Sequence, residues 1–386
     1  RAVPVLRSSW PELVTRDAPL FGGEESAKLA RRARKTPRGR CRSGPQWTAT
    51  ESPLQGTDDS AWGSSAGTTR AACNASSISS FSVSHRDARF PTHALPVAAQ
   101  TARMTTPRTK NPMPEWIESP HPHVQHSLIT FPAKHILQVT INRPEARNCL
   151  PVEGTIELGA LWKWYDAEPE LRVAVFTGAG DKAFCAGMDL KQRFDILDTG
   201  DIAHDYPPGQ FAGMSNRAGK KPIIVACNGH AHGGGFEAIL NADVIFASPN
   251  ATFALPEVLR GVSALAGALP RVFLLFGNHR AMDLILTGRR LSVEEAHAWG
   301  LVKEIVPQEQ LLEKTLEYAK LIASLSPDSV IISRMAAREA WETGVSRATM
   351  RGQELWAENM LRSENAREGL LAYKEKREPR WKRSHL

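Results

Sequence analysis

Two glutamates and a run of glycines are the residues best suited to chemistry in this sequence. Gly233, Gly234 and Gly235 lack a Cβ, so their backbone N–H groups can approach a ligand closely, and Glu237 and Glu257 follow them. Such N–H donors stabilise an oxyanion, while one carboxylate acts as a base and another as an acid. The combination favours proton transfer at the carbons alpha and beta to a carbonyl group.

Both glutamates must be brought to one rim by the surrounding elements. Pro222–Cys227 is a short apolar run typical of a strand buried on both faces, and Phe236–Ala242 predicts a helix with the first glutamate in its first turn. Two strand-like runs, Asp243–Ser248 and Ala251–Ala254, are long enough to return the chain to that rim. A tight strand-to-helix connection with solvated glutamates is the alternative interpretation of this stretch.

Further motifs lie around the glycine run. They are G-H-A-H-G-G-G-F-E at 229–237, L-P-E at 255–257, F-T-G-A-G-D-K-A-F-C-A-G-M-D-L-K at 176–191, I-N-R-P at 141–144, and the stretch 286–307. Together these motifs resemble the enoyl-CoA hydratase/isomerase (crotonase) superfamily, in register over about Val124–Tyr373. The segment before that range has no counterpart in the resemblance.

The resemblance implies an α/β fold, a crotonase-like spiral of ββα units followed by a C-terminal helical region, and assembly as a homotrimer or a dimer of trimers. The chain is accordingly divided into an N-terminal segment at 1–118, a core at 119–307 and a helical region at 308–386. Local patterns predict a half-buried strand at His135–Ile141 and a buried strand at Val173–Phe176.

The catalytic groups implied by the resemblance are two backbone donors and two carboxylates. The N–H groups of Met188 and Gly234 match the oxyanion hole that holds a thioester carbonyl, and Glu237 and Glu257 match the carboxylates of enoyl-CoA hydratases. Water addition to a conjugated thioester needs a base at C3 and an acid at C2. A double-bond isomerase usually keeps only the position of Glu257, so the resemblance favours a hydratase over an isomerase or another crotonase-type lyase.

Four residues within the motif at 176–191 match positions that contact coenzyme A in the family: Lys191, Lys182, Ala186 and Asp189. An ammonium group beside a phosphate is physically reasonable, although a solvated lysine is an equal alternative for Lys182. Asp189 is also placed to cap the following helix. No separate cofactor is implied, because coenzyme A is part of the acyl-CoA substrate.

Two further features bear on the site: a pair of histidines that could suggest a metal, and a departure from the family pattern after Glu257. His230 and His232 form an H-x-H pair, but no further ligand set is visible nearby, so a metal site is not predicted. Where the family usually has a proline and a double glycine after the second glutamate, this chain has Ala264 and Gly267-Ala268, with Arg271 retained. The acyl pocket is therefore expected to differ, and the natural acyl group is left open.

The positive charge of the chain is concentrated at its N-terminal end. Residues 1–110 carry 17 Lys and Arg against 8 Asp and Glu, whereas the remainder carries 31 against 33. Segment 1–118 is rich in Ser, Arg and Pro and is predicted to be disordered. Whether the residues before Met104 belong to the mature protein is left open. The basic run Lys28–Arg42 leaves a transit peptide and an RNA-binding arm as alternatives, while the near-neutral body offers no electrostatic footprint for nucleic acid.

The remaining composition bounds the class of protein. The five cysteines show no paired spacing, so neither a disulfide framework nor a zinc site is predicted. No run of about twenty apolar residues occurs, which excludes a hydrophobic membrane-spanning helix in the printed sequence.

The sequence finishes with Ser384-His385-Leu386, which resembles a peroxisomal address of small residue, basic residue and leucine. Pro379 is expected to stop the preceding helix and leave this tripeptide exposed for an import receptor. The tripeptide predicts delivery to peroxisomes, with mitochondrion and cytosol as alternatives. The family resemblance implies an enzyme of fatty-acid metabolism.

Overall fold

The computed structural model of the protein describes residues 113–198 and 209–386, all within one compact unit. Its strands are β1 (Ser127–Ala133), β2 (Ile136–Ile141), β3 (Val173–Gly178), β4 (Ala183–Cys185), β5 (Ile223–Cys227), β6 (His230–His232), β7 (Val244–Ala247), β8 (Thr252–Ala254), β9 (Leu291–Ser292) and β10 (Glu304–Ile305). The basic run at 28–42 and most of the predicted N-terminal segment lie outside the described residues.

The helices of the core are α1 (Val152–Ala167), α2 (Leu190–Asp198), α3 (Gly234–Ile239), α4 (Ala268–Phe276), α5 (Asn278–Thr287) and α6 (Val293–Ala298). The C-terminal helices are α7 (Leu311–Ala323), α8 (Pro327–Thr343), α9 (Val345–Gly352), α10 (Glu358–Arg362) and α11 (Glu364–Glu375), with a π-helical turn at Gln353–Ala357. Short 3-10 turns occur at Pro144–Ala146, Phe211–Gly213 and Pro256–Arg260. Every helix of the described ranges lacks the length and apolar character needed to cross a membrane.

From β3 to β8 the strands alternate between two sheets. The larger sheet has the order β1-β2-β3-β5-β7-β10 and the smaller one the order β4-β6-β8-β9. The chain passes from β3 to β4 and α2, from β5 to β6 and α3, and from β7 to β8 and the turn at Pro256–Arg260. Each pass adds one parallel strand to each sheet. The predicted spiral of ββα units is therefore confirmed.

Burial on both faces explains why β3 and β5 are nearly continuous apolar runs. All residues of both strands are buried, with one cluster of core side chains against α1 and a second against α7. On the first side Trp162 meets Phe176 edge to face at 5.3 Å, and Phe176 meets Phe184 at 5.1 Å. Such aromatic pairs contribute about 0.5–1.5 kcal/mol each beyond their burial.

The sequence places several helix starts correctly. The spacing of Ser292 and Glu295 predicts a capping box, which the structure forms at α6. The pair Ser326-Pro327 predicts a helix start, and the Ser326 hydroxyl caps α8 there. Gly187 and Asp189 predict a turn over 182–190, but this stretch contains the short strand β4 because it pairs with β6. Packing also begins before the predicted boundary at 118, since Ile117 is buried and Trp116 packs on Phe131.

The chain after α11 differs from the expectation of an exposed tail. The helix ends at Glu375, where Lys376 adopts a left-handed backbone with φ of 54°, so Pro379 is not the residue that stops it. Asn365 exchanges hydrogen bonds with the backbone of Lys382 at 2.8 and 3.2 Å, and the Lys220 ammonium donates to the backbone oxygen of Leu386. Most of this segment therefore packs along the body of the chain, although the His385 side chain is exposed.

Candidate active site

Glu237 is held inside the protein by backbone amides. It lies in the first turn of α3, as predicted, and is only 5% exposed. Its Oε1 accepts hydrogen bonds from the N–H groups of Ala266, at 2.9 Å, and Ala268, at 3.3 Å. Ala268 opens α4, and Gly267 before it has φ of 112°, a backbone conformation that favours glycine. The start of α4 thus fixes the carboxyl group of α3.

Glu257 approaches the same glycine turn from the other side. It lies in the 3-10 turn Pro256–Arg260 directly after β8, which pairs with β6. A Cβ built on Gly233 would stand 3.0 Å from Glu257 Oε1, so the carboxyl group borders that glycine. Within residues 113–198 and 209–386, Glu257 Oε2 is buried without a hydrogen-bond partner. A buried oxygen of this kind is suited to a ligand, because leaving it unpaired is costly.

Burial raises the pKa of both carboxyl groups above the ordinary range. Burial, followed by the charge of Glu257, raises the pKa of Glu237 to about 7, and the two backbone hydrogen bonds and Arg271 offset only part of this. Burial also raises the pKa of Glu257. A carboxyl group that titrates near neutral pH can both give and take a proton there. The pair therefore has the electrostatics of an acid–base couple.

The two predicted oxyanion turns lie against each other. A Cβ on Gly187, which has φ of 99°, would stand 3.4 Å from the Gly234 nitrogen. The neighbouring turn is fixed by Leu150, whose N–H donates to Gly187 O at 3.0 Å and whose carbonyl accepts from Asp189 N at 3.0 Å. Gly234 is the first residue of α3, where a backbone N–H has no acceptor within its own helix. The turns that carry Met188 and Gly234 are thus brought together beside both glutamates.

The four predicted coenzyme A positions are less uniform. Lys191 and Lys182 are exposed, whereas Ala186 is half-buried and donates its N–H to Arg147 O at 3.1 Å. Asp189 bonds to the Lys191 N–H at 3.3 Å in the first turn of α2 and to Arg143 at 3.4 Å. Its side chain is therefore engaged by protein groups that shape the turn around Met188, while the two lysine side chains face solvent.

The H-x-H pair is occupied by a hydroxyl group. His230 and His232 stack with ring centroids 5.1 Å apart, and both approach Thr252 Oγ1, at 2.8 and 2.9 Å. Burial lowers the pKa of both rings, to about 4 for His232. Across the described part of the chain, no group of three or more His, Cys, Asp and Glu side chains is arranged to hold a metal ion.

Two parts of the site carry no sequence signal. The amides of Ala266 and Ala268 act through the backbone, so the stretch where the chain departs from the family pattern gives no side-chain clue to them. The Phe211 ring lies directly over Gly234, at 2.6–2.8 Å from where a Cβ of that residue would be. The stretch around Phe211 is expected from sequence only to be an irregular connection that can shape a pocket. Its contact with Gly234 joins residues remote in sequence.

Comparison with known proteins agrees with this geometry. A family model described as enoyl-CoA hydratase/isomerase matches residues 132–384. The chain is 43% identical over 267 residues to a mevalonyl-coenzyme A hydratase of Aspergillus fumigatus, covering 69% of this chain and 98% of that protein. It is 37% identical over 252 residues to a carnitinyl-CoA dehydratase of Escherichia coli K12, covering 64% of this chain and 95% of that protein.

A solved structure shows the same fold. The crystal structure of an enoyl-CoA hydratase from Mycobacterium tuberculosis H37Rv matches with a TM-score of 0.60 and 32% identity, covering 67% of this chain and 98% of that one. Its coverage, like that of the relatives, leaves about a third of this chain unmatched. The protein belongs to the enoyl-CoA hydratase/isomerase family and is a hydratase-type enzyme that acts on CoA thioesters.

Proposed function

We propose that this enzyme adds or removes water across C2 and C3 of a CoA thioester that is hydroxylated and branched at C3, of the mevalonyl type. The observation that carries the reaction is the buried Glu237 and Glu257 pair beside the two glycine turns. The substrate class is supported by the 43% and 44% identity to mevalonyl-coenzyme A hydratases of Aspergillus fumigatus and Beauveria bassiana, each matched over 98% of its length.

The geometry divides the elimination of water into three roles. Glu257, whose Oε2 has no protein partner in the described ranges, takes the proton from C2. The N–H groups of Met188 and Gly234 stabilise the negative charge that develops on the thioester oxygen. Glu237, with a pKa of about 7, gives a proton to the hydroxyl group that leaves C3. The C–O bond breaks, water departs and the 2,3-enoyl thioester remains.

Hydration is the reverse of these steps, and the balance involves only water and protons. The reaction changes no oxidation state, so it requires no redox cofactor, and coenzyme A enters as part of the substrate. A 2,3-enoyl isomerase would move a proton between C2 and C4 without releasing water. The presence of both carboxyl groups favours the hydratase within this family.

The experiment is a thioester panel for residues 104–386. Mevalonyl-CoA, 3-hydroxybutyryl-CoA, crotonyl-CoA and a 3-enoyl-CoA are incubated separately, and the conjugated-thioester absorbance and product masses are followed. We expect mevalonyl-CoA to give the highest kcat/KM and a product lighter by one water. Preference for crotonyl-CoA would overturn the substrate class alone. Conversion of the 3-enoyl-CoA without any water exchange would favour the isomerase.

We further propose that the chain forms a homotrimer or a dimer of trimers. Large apolar side chains remain exposed in the stretch that follows Glu257, among them Leu259 at 58%, Leu265 at 81% and Leu274 at 57%. Apolar exposure of this kind is typical of a surface that a second copy covers. Light scattering gives the mass directly, and Leu265→Glu is expected to lower it. A monomeric parent protein would contradict the assembly.

Delivery to peroxisomes is proposed from Ser384-His385-Leu386. Because the Lys220 ammonium holds the backbone of Leu386, capture by an import receptor would first need that contact to open. An N-terminally tagged protein is compared with and without residues 384–386. A mitochondrial or diffuse pattern that ignores the deletion would exclude this address.

A further inference from the structure

The turn that carries Phe211 has an unusual backbone. Gln210 has φ of 56° and ψ of −145°, and Ala212 has φ of 54°. Residues with a side chain rarely adopt positive φ, and the conformation of Gln210 is close to one that is almost confined to glycine. Such a conformation persists only where the surroundings hold it, and strained residues of this kind cluster at functional sites.

Three buried contacts hold the turn. The Trp162 indole N–H donates to Ala212 O at 3.0 Å from within α1. Gly213 lies against the same helix so closely that a Cβ on it would stand 2.3 Å from the Cα of Gly159. On the other side, the Asn241 amide donates to Met214 O at 2.8 Å from just beyond the end of α3. The turn is therefore fixed to α1 and to α3, the helix that begins at Gly234.

These contacts fix the position of the Phe211 ring. The ring is only 4% exposed, and a Cβ on Gly234 would lie 2.6 Å from its Cγ and 2.7 and 2.8 Å from its Cδ atoms. Gly233 has φ of 55° and needs glycine because of its backbone. Gly234 is instead the first helical residue, with a backbone open to other residues. The aromatic ring is what demands glycine at 234.

We propose that Phe211 is a positioning residue that holds the Gly234 backbone so that its N–H points at the thioester oxygen. This inference rests on the proposed hydratase function. The N–H group bonds most strongly once negative charge has developed on that oxygen, so a misplaced donor lowers kcat more than it raises KM. The strained turn, which is packed on α1, thus determines where the Gly234 N–H lies relative to the reacting carbonyl group.

A double-mutant cycle tests the contact between Phe211 and Gly234, because the two substitutions should partly compensate each other in kcat. Gly234→Ala alone pushes a methyl group into the ring and should lower kcat about a hundredfold, the size of losing one oxyanion donor. Phe211→Ala should lower kcat about tenfold with KM within about twofold. Because Phe211→Ala makes room for that methyl group, the double variant should turn over at least about fivefold faster than Gly234→Ala.

A matched control is Phe246→Leu combined with Gly234→Ala. Phe246 is equally buried but belongs to the cluster packed against α7, so it should rescue nothing. If Phe211→Ala fails to fold, Trp162→Phe keeps a ring in α1 but removes the hydrogen bond to Ala212 O. It should lower kcat severalfold with an unchanged KM. Thermal melts of every variant separate misfolding from misplacement.

A second readout does not depend on turnover. Acetoacetyl-CoA forms an enolate, and its ultraviolet absorbance reports the enolate fraction of the bound ligand. That fraction should fall in each single variant and recover in the double variant. Absent hydratase activity in the parent would refute the proposed function, while this spectrum still tests the donor. A folded double variant no better than Gly234→Ala in both readouts would overturn the role of Phe211.

Discussion

Two acidic side chains lie near opposite ends of α3 and are treated differently by the protein. Asp243, just beyond the helix, accepts the Ile223 N–H at 2.8 Å and pairs with Arg334 at 2.8 Å and Arg338 at 3.7 Å. Glu237, in its first turn, receives two amide N–H groups and faces another carboxyl group, Glu257. Asp243 is thus held by two guanidinium groups, whereas the site leaves the protonation of Glu237 adjustable.

This difference separates charges that hold the fold from charges that do chemistry. Arg334 and Arg338 come from α8, so the ions around Asp243 join the C-terminal helices to the core. The carboxyl pair at the other end has one oxygen, Glu257 Oε2, with no partner in the described residues. Substitutions at the two places should therefore affect different measurements.

The largest effect is expected at Glu257. Glu257→Gln keeps the shape but loses the exchangeable proton, so kcat should fall by about 10²–10⁴ and hydrogen–deuterium exchange at C2 should stop. Binding of the CoA ester should be nearly unchanged, and Glu237→Gln should also fail in hydration. As the counterpart, Asp243→Asn should lower the melting temperature and leave kcat of the folded enzyme near the parent value. Near-parent rates for both glutamine variants would refute the mechanism.

The second prediction concerns stability against pH at Glu237. Its folded pKa of about 7 lies above the ordinary 4.5, so the folded state binds more protons between these values and its stability falls as pH rises through them. The full penalty above pH 7 is about 3 kcal/mol. Glu237→Gln removes it, so urea unfolding should show the variant gaining on the parent between pH 5 and pH 8.

A control with the opposite shift sharpens this test. The Arg377 side chain lowers the pKa of the half-buried Glu368 to about 2, so the charge of that group is constant from pH 5 to pH 8. Glu368→Gln should differ from the parent by the same amount at both pH values. A parallel response of Glu237→Gln would mean that its carboxyl group stays ionised throughout.

The third prediction concerns a substitution that weakens the ion cluster around Asp243. Arg334→Leu removes its closest guanidinium group, and the cost should be about 2 kcal/mol of unfolding free energy, below the value for a fully buried pair because Arg338 remains. Arg362→Ala breaks an exposed pair with Glu358 and should cost less than about 0.5 kcal/mol. Equal losses in urea unfolding would remove the distinction between the two pairs.

The sequence predicts those parts of the molecule that depend on local pattern. Continuous apolar runs identify β3 and β5, and the serine–glutamate spacing identifies the cap of α6. The two glutamates are also predicted, because their distance from the glycine run is read along the chain. Their burial and raised pKa come from packing, which the one-dimensional pattern only suggests.

Features that join remote segments are not predicted. The amides of Ala266 and Ala268 act through the backbone, and the Phe211 ring reaches Gly234 only because α1 holds its turn. The tail was expected to be exposed after Pro379, but Asn365 binds its backbone by two hydrogen bonds. In each case the deciding contact lies between residues far apart in sequence, and the local residue types do not reveal it.

The smallest effect is expected at two exposed lysines that extend the comparison to the surface. Lys191 lies in the first turn of α2, two residues from Asp189, whereas Lys182 directly precedes β4. The backbone carbonyl of Lys182 accepts the His230 N–H, and an alanine at 182 would keep this hydrogen bond. If Lys191 pairs with a phosphate of coenzyme A, Lys191→Ala should raise KM about fivefold, equal to about 1 kcal/mol for an exposed ion pair. Added salt should shrink this difference, because it screens exposed charges. Lys182→Ala should leave KM within about twofold, and an equal rise for both variants would show that general positive charge, rather than the position of Lys191, attracts the substrate.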